Sequence, residues 1–63
     1  MHRASATVVH HPYNGIAFLI SDGPYAGIAF SATREGARGM RNRIGETVRV
    51  KFSPDDQFAF EER

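Results

Sequence analysis

The stretch Asn14-Gly15-Ile16-Ala17-Phe18-Leu19-Ile20-Ser21-Asp22-Gly23-Pro24 holds a short apolar run between two turn signals. An Asn-Gly pair favours a tight hairpin turn because both residues tolerate a positive φ. Asp-Gly-Pro marks a second turn. The stretch therefore predicts a strand over residues 15–21 that is joined to a neighbouring strand by a turn at each end.

Four further segments have the composition or the period of strands. Residues 6–11 are rich in β-branched side chains, and residues 25–31 follow the second turn. Residues 47–52 alternate apolar and polar side chains, and residues 57–61 follow a turn at Pro54. Five strands in this order predict an all-β fold, a small five-stranded Greek-key barrel.

The predicted third and fourth strands are joined by a long basic connection. Residues 33–45 contain three glycines, which argue against a stable helix. Met40 and Ile44 are its large apolar residues, and we expect them to attach it to the barrel. From residue 34 to residue 51 there are two acidic residues and six basic ones, a net charge of +4: Arg34, Arg38, Arg41, Arg43, Arg49 and Lys51. Arginine both pairs with phosphate and stacks on bases, so this region predicts an anionic partner.

The size and composition exclude several classes of protein. The chain has 63 residues and no cysteine, so we expect a single domain over residues 1–63 that has no disulfide or thiolate metal site. The longest apolar run, Gly15 to Ile20, is too short to span a membrane. No long apolar stretch follows the N-terminus as a signal peptide requires. The expectation is a cytoplasmic protein without a membrane partner.

Strand alternation gives a first assignment of side chains to the inside of the barrel. The predicted core is Val8, Ala17, Leu19, Ile28, Val48, Val50, Phe52, Phe58 and Phe60. This assignment turns Phe18 outward, with Phe30 near the end of the third strand, and an exposed Phe ring suggests a binding role. The alternative is a bulge that shifts the alternation and places Phe18 in the core.

Three motifs resemble cold-shock domains. Gly15-Ile16-Ala17-Phe18-Leu19-Ile20, followed by the Asp22-Gly23 turn, is similar to the second strand of that family, Lys-Gly-Phe-Gly-Phe-Ile. Ile28-Ala29-Phe30-Ser31-Ala32 is similar to Val-His-Phe-Ser-Ala, and Gly45-Glu46-Thr47-Val48 to the opening of the fourth strand. The resemblance covers nearly the whole chain, in the same order. It implies a barrel of the oligonucleotide-binding (OB) type that binds single-stranded nucleic acid.

The C-terminal half also resembles a second OB family, bacterial translation initiation factor one. Arg38-Gly39-Met40-Arg41 compares with its Gly-Lys-Met-Arg run, and Ser53-Pro54-Asp55-Asp56 with its Ser-Pro-Tyr-Asp turn. Both families bind nucleic acid, so the implied fold and the implied ligand class are the same.

The aromatic platform of the cold-shock family is only partly present. The family's first-strand Trp falls on His10, and aromatic positions fall on Ile16, Gly27 and Ala29, while Phe18 and Phe30 are retained. Each lost base stack removes roughly 1–3 kcal/mol. Phosphate contacts should therefore carry more of the binding energy. The implied nucleic-acid-binding residues are His10, Tyr13, Phe18, Phe30, Arg34, Arg38, Arg41 and Arg43.

No residue pattern in the sequence predicts an enzyme, a metal site or a cofactor. His10 and His11 are adjacent in a strand and point to opposite faces, so they cannot chelate one ion together. Ser21 and Asp22 lie in a turn, without the sharp elbow or oxyanion loop of a hydrolase.

Two functions therefore remain open from the sequence. The first is a module that binds single-stranded RNA or DNA. The second is a module that binds another protein, or a second copy of itself, through a flat apolar face made of Ile16, Phe18, Gly27 and Ala29.

Overall fold

The computed structural model describes residues 1–12 and 15–62. The chain forms five strands and one short 3₁₀ helix: β1 (His2–His11), β2 (Gly15–Ile20), β3 (Ala29–Ala32), η1 (Met40–Arg43), β4 (Thr47–Ser53) and β5 (Phe58–Glu61). The strands close into a barrel in the order β1-β2-β3-β5-β4. The predicted five-stranded all-β barrel of OB type, with a long basic loop between β3 and β4, is confirmed.

The barrel closes because two pairings complement the hairpins. β1 pairs antiparallel with both β2 and β4, and it is ten residues long, which lets one strand serve two neighbours. β3 and β5 then pair in parallel, through Ser31 with Phe58 and Ala32 with Ala59. Each strand of the closed barrel therefore has a paired neighbour on both sides.

The predicted third strand is shorter than expected. Residues 24–27 form a turn instead of extended backbone, and the strand begins at Ala29. Gly23 and Gly27 adopt positive φ values of 76° and 90°, which fold the chain back on itself. The amide of Gly27 donates to the carbonyl of Ile20 at 2.8 Å and fixes the turn against β2.

The inward alternation of β2 is the opposite of the predicted one. Ile16, Phe18 and Ile20 are buried at 2%, 0% and 1% exposure, whereas Leu19 is 37% exposed. Val8 of β1 is directly opposite Phe18, and directly paired residues share a face of the sheet, so a buried Val8 carries Phe18 inward. The prediction that Phe18 faces outward is therefore wrong, without any need for a bulge.

The rest of the predicted core divides into confirmed and wrong assignments. Five predicted members are buried, Val8, Ala17, Val48, Val50 and Phe52, although Ala17 lies on the outer side of β2. Ile28 and Phe58 are about half exposed (49% and 50%), Leu19 is exposed, and Phe60 is only partly buried. Ile28 lies in the turn before β3, and Phe58 and Phe60 flank the inward Ala59, so these three side chains have no place inside.

An aromatic cluster fills one part of the barrel. The rings of Phe30 and Phe52 lie 5.0 Å apart between centroids, and Tyr25 packs edge-on against Phe52 at 5.3 Å. Phe30 is 4% exposed. His2 at the start of β1 stacks on Phe52 at 5.5 Å. Tyr25, predicted as a strand residue, instead anchors the turn before β3 to the core.

Candidate nucleic-acid interface

The basic connection after β3 is an ordered loop held by its own backbone. The hydroxyl of Thr33 accepts a hydrogen bond from the amide of Gly36 at 2.9 Å, and the Thr33 carbonyl accepts one from Ala37 at 2.8 Å. Met40 is 3% exposed and attaches the loop to the core, as predicted, whereas Ile44 is 48% exposed and does not. The loop therefore has a fixed course across the outside of β5.

Gly36 brings the loop against Phe60. A Cβ atom added at Gly36 would lie 3.3 Å from the Cβ of Phe60 and 2.8 Å from the Thr33 hydroxyl oxygen. The second distance is shorter than side chains normally allow, so this position requires glycine for close approach.

An open groove of about 940 Å³ lies between this loop and the outer faces of β4 and β5. Its cationic lining is Arg34 and Arg38 from the loop and Lys51 from β4, and its aromatic lining is Phe60. Lys51 and Phe60 are directly paired across β4 and β5, so they point to the same side. The groove thus combines three cations with one partly exposed ring. We call it the basic groove.

The three cations of the basic groove are available to a ligand. Among the described residues, neither Arg34, Arg38 nor Lys51 makes a salt bridge. Arg34 and Arg38 are exposed, and Lys51 is half-buried. Unpaired guanidinium groups beside a concave surface attract anions and bind phosphate through two parallel hydrogen bonds.

Arg43, a predicted phosphate contact, is bound by two carboxylates. Its two terminal nitrogens donate to both carboxylate oxygens of Glu61 at 2.9 and 3.0 Å, and its Nε donates to Glu46 at 3.2 Å. These hydrogen bonds, the one to Glu61 first, raise the pKa of Arg43 above its ordinary value. The contribution of charged Arg43 to stability is therefore present at neutral pH and is lost only when the pH rises above the ordinary pKa of arginine. Arg43 joins η1 to β5 and is not free for phosphate.

Among the other predicted contact residues, some are exposed outside the groove and some are buried. Arg41 is exposed on η1 but does not line the basic groove, and His10 is exposed at the end of β1, also outside that lining. Phe18 and Phe30 are buried, so their rings are closed to bases in this conformation. Tyr13 and the Asn14 turn lie outside the described residues.

Two groove residues, Lys51 and Phe60, are absent from the sequence-predicted binding set. Lys51 belongs to the predicted basic cluster of residues 34–51, and its outward position follows from the period of two in β4. The sequence predicts Phe60 in the core, because alternation alone cannot say which side of β5 is inside.

The outer face of β1, β2, β3 and the start of β5 has the opposite character. Two rows of paired residues cross it, one through Thr7, Leu19 and Ala29 and the other through Val9, Ala17, Ser31 and Phe58. None of these side chains is charged. Leu19 and Phe58 are the large exposed apolar groups on it, and Ile28 lies at its border. We call this the charge-free face. It replaces the predicted apolar face, two of whose members, Ile16 and Phe18, are buried.

Comparisons of the chain with protein-family models, with curated proteins and with solved structures found no match. The resemblance to cold-shock domains stays a prediction. Within residues 1–12 and 15–62, no three His, Asp or Glu side chains cluster as a metal site would require. The same residues contain no helix with the length and apolar character needed to cross a membrane.

Proposed function

We propose that the chain binds single-stranded nucleic acid in the basic groove, with the phosphates on Arg34, Arg38 and Lys51 and one base stacked on Phe60. The observation that carries the proposal is the meeting of one partly exposed ring and three cations, which make no salt bridge to any described residue, around a single groove. Cations that follow a strand's phosphates, together with a stacking ring, are the two parts of sequence-tolerant single-strand binding.

The proposal keeps the ligand class that the sequence suggested and changes the surface. The buried rings of Phe18 and Phe30 remove the predicted stacking platform on β2 and β3. A single ring at Phe60 contributes roughly 1–3 kcal/mol, so most of the affinity must come from phosphate contacts.

Titration of labelled single-stranded RNA and DNA at 50 and 200 mM salt tests this proposal. Three phosphate contacts on a single strand give a slope of log K against log salt of about −2, or roughly a 20-fold loss of affinity over this range. Arg34→Ala combined with Arg38→Ala should lower the affinity at least tenfold, because two of the three contacts are gone.

Arg41→Ala is the single-charge control, since it removes one arginine of the same connection from outside the groove. It should change the affinity by less than about threefold, through the general field only. Folded protein that binds neither nucleic acid at low salt would contradict the proposal. So would equal losses in the control and in the double variant.

The charge-free face supports a second candidate function, self-association. Leu19 and Phe58 are 37% and 50% exposed on a face without charged side chains. Two copies of this face meet without like-charge repulsion, which suits a two-fold symmetric contact. Sedimentation equilibrium of the wild type and of Leu19→Gln tests it: self-association predicts a concentration-dependent mass that the variant abolishes, and a monomer at all concentrations rejects it.

A further inference from the structure

Glu61, one of two acidic side chains in the basic groove, is bound by Arg43, and this pair leads to an inference that rests on the proposed function. Glu61 is the last residue of β5 and lines the groove, whereas Arg43 does not line it. The two guanidinium–carboxylate hydrogen bonds of 2.9 and 3.0 Å hold the carboxylate on both oxygens. We infer that Arg43 is a positioning residue that makes the groove accept anions by neutralising and orienting Glu61.

The charges of the groove explain why neutralisation matters. Its lining holds the cations Arg34, Arg38 and Lys51 and the carboxylates Glu35 and Glu61. Counted alone, this set has a net charge of only +1. A carboxylate beside a phosphate opposes binding, and pairing with an arginine removes most of its field. Arg43 supplies that charge from outside the groove, so its effect on the ligand passes through Glu61.

The position of Arg43 also fixes where the carboxylate points. Arg43 ends η1, and its Nε is bound by Glu46, three residues along the chain, at 3.2 Å. The guanidinium is therefore held from its own loop on one side and meets Glu61, 18 residues away, on the other. A planar donor fixed at one edge presents its remaining two nitrogens in one orientation, which a lysine cannot reproduce.

Binding of inorganic pyrophosphate, followed by NMR shifts of the groove amides, tests the inference without depending on nucleic acid. Arg43→Met should weaken binding about fivefold, because the Glu61 carboxylate then faces the anion without the Arg43 guanidinium. Arg43→Met combined with Glu61→Gln should return the affinity to within about twofold of the wild type. Arg41→Met is the matched control for the lost charge, and we expect less than a twofold change.

Each result has one meaning, provided that circular dichroism shows folded protein. Recovery in the double variant supports the inference. A double variant as weak as Arg43→Met, or a control as weak as Arg43→Met, overturns it, since Arg43 would then act by direct contact, by ordering the loop or by net charge. Absence of pyrophosphate binding in the wild type also overturns it.

Arg43→Lys protects the test against misfolding of Arg43→Met. The lysine keeps the positive charge near Glu61 but cannot donate to both carboxylate oxygens as the guanidinium does, so anion affinity should fall less than in Arg43→Met. An equal fall would overturn the charge argument. Wild-type protein that binds pyrophosphate but neither RNA nor DNA separates the two ideas: the nucleic-acid proposal fails and the role of Arg43 stands.

Discussion

The basic groove and the charge-free face share strand β5 and differ in what lies beside it. Both use outward-facing residues of a closed barrel, and β5 contributes Phe58 to the face and Phe60 to the groove. The groove is concave because the loop of residues 33–40 lies over β5, whereas Leu19 and Phe58 of the charge-free face are 37% and 50% exposed. A plain strand surface becomes a candidate anion site here only where a loop adds depth and cations.

The largest expected effect separates the buried aromatic residues from the exposed ones. Phe18→Ala should cost about 3–5 kcal/mol, because it opens a cavity at a fully buried ring. A domain of this size has little stability to spare, so this variant should be largely unfolded at 37 °C. Phe58→Ala, on the charge-free face, should cost less than about 1 kcal/mol. Urea unfolding of both variants measures the difference, and similar losses would mean that the alternation of β2 or β5 is wrong.

The loop that gives the groove its depth packs on Phe60 through Gly36. Gly36→Val should destabilise the protein by about 1–3 kcal/mol, since its Cβ atom would lie 2.8 Å from the Thr33 hydroxyl oxygen. The loop should move away from Phe60, and amide exchange at residues 36–38 should become faster. Asn42→Val, at an exposed position of η1, is the control for the added β-branched side chain. Unchanged exchange in the Gly36 variant would show that the loop is not packed on Phe60.

The smallest effect is expected at an exposed ion pair whose two residues do not line the groove. Arg3 and Glu62 are 3.0 Å apart, with side chains that are 60% and 27% exposed. Arg3→Ala should change the free energy of unfolding by less than about 1 kcal/mol, because water and salt screen such pairs. Nucleic-acid affinity should also stay within about twofold. A large loss of affinity in this variant would move the binding surface toward β1 and away from the basic groove.

The sequence predicts the fold well because its signals there are local. The turn residues and the period of two in β4 depend on neighbouring residues, and Thr47–Ser53 has the predicted alternation. β2 is apolar at both parities from Ile16 to Ile20, so alternation alone could not decide whether Phe18 or Leu19 is inside. That choice depends on the pairing of Val8 with Phe18, ten residues apart.

The candidate site was harder to predict because its residues are distinguished by distant contacts. Arg41 and Arg43 look alike in sequence, yet Arg43 is bound to Glu61 on β5 and Arg41 is exposed. Phe58 and Phe60 share one side of β5, but only Phe60 lies beside the loop. The net charge of the region and its loop could be predicted from composition. Composition could not predict which cations are free, because ion pairs between distant residues decide which of them are bound.

A chemical-shift map of the wild-type protein, titrated with a short single-stranded oligonucleotide at low salt, distinguishes the basic groove from the charge-free face as the binding surface. Binding in the basic groove predicts that the shifted amides cluster at residues 33–38, 51 and 60–61, and that the shifts weaken steeply as salt is added. Shifts centred on Leu19, Ala29 and Phe58, with little dependence on salt, would contradict it and assign binding to the charge-free face.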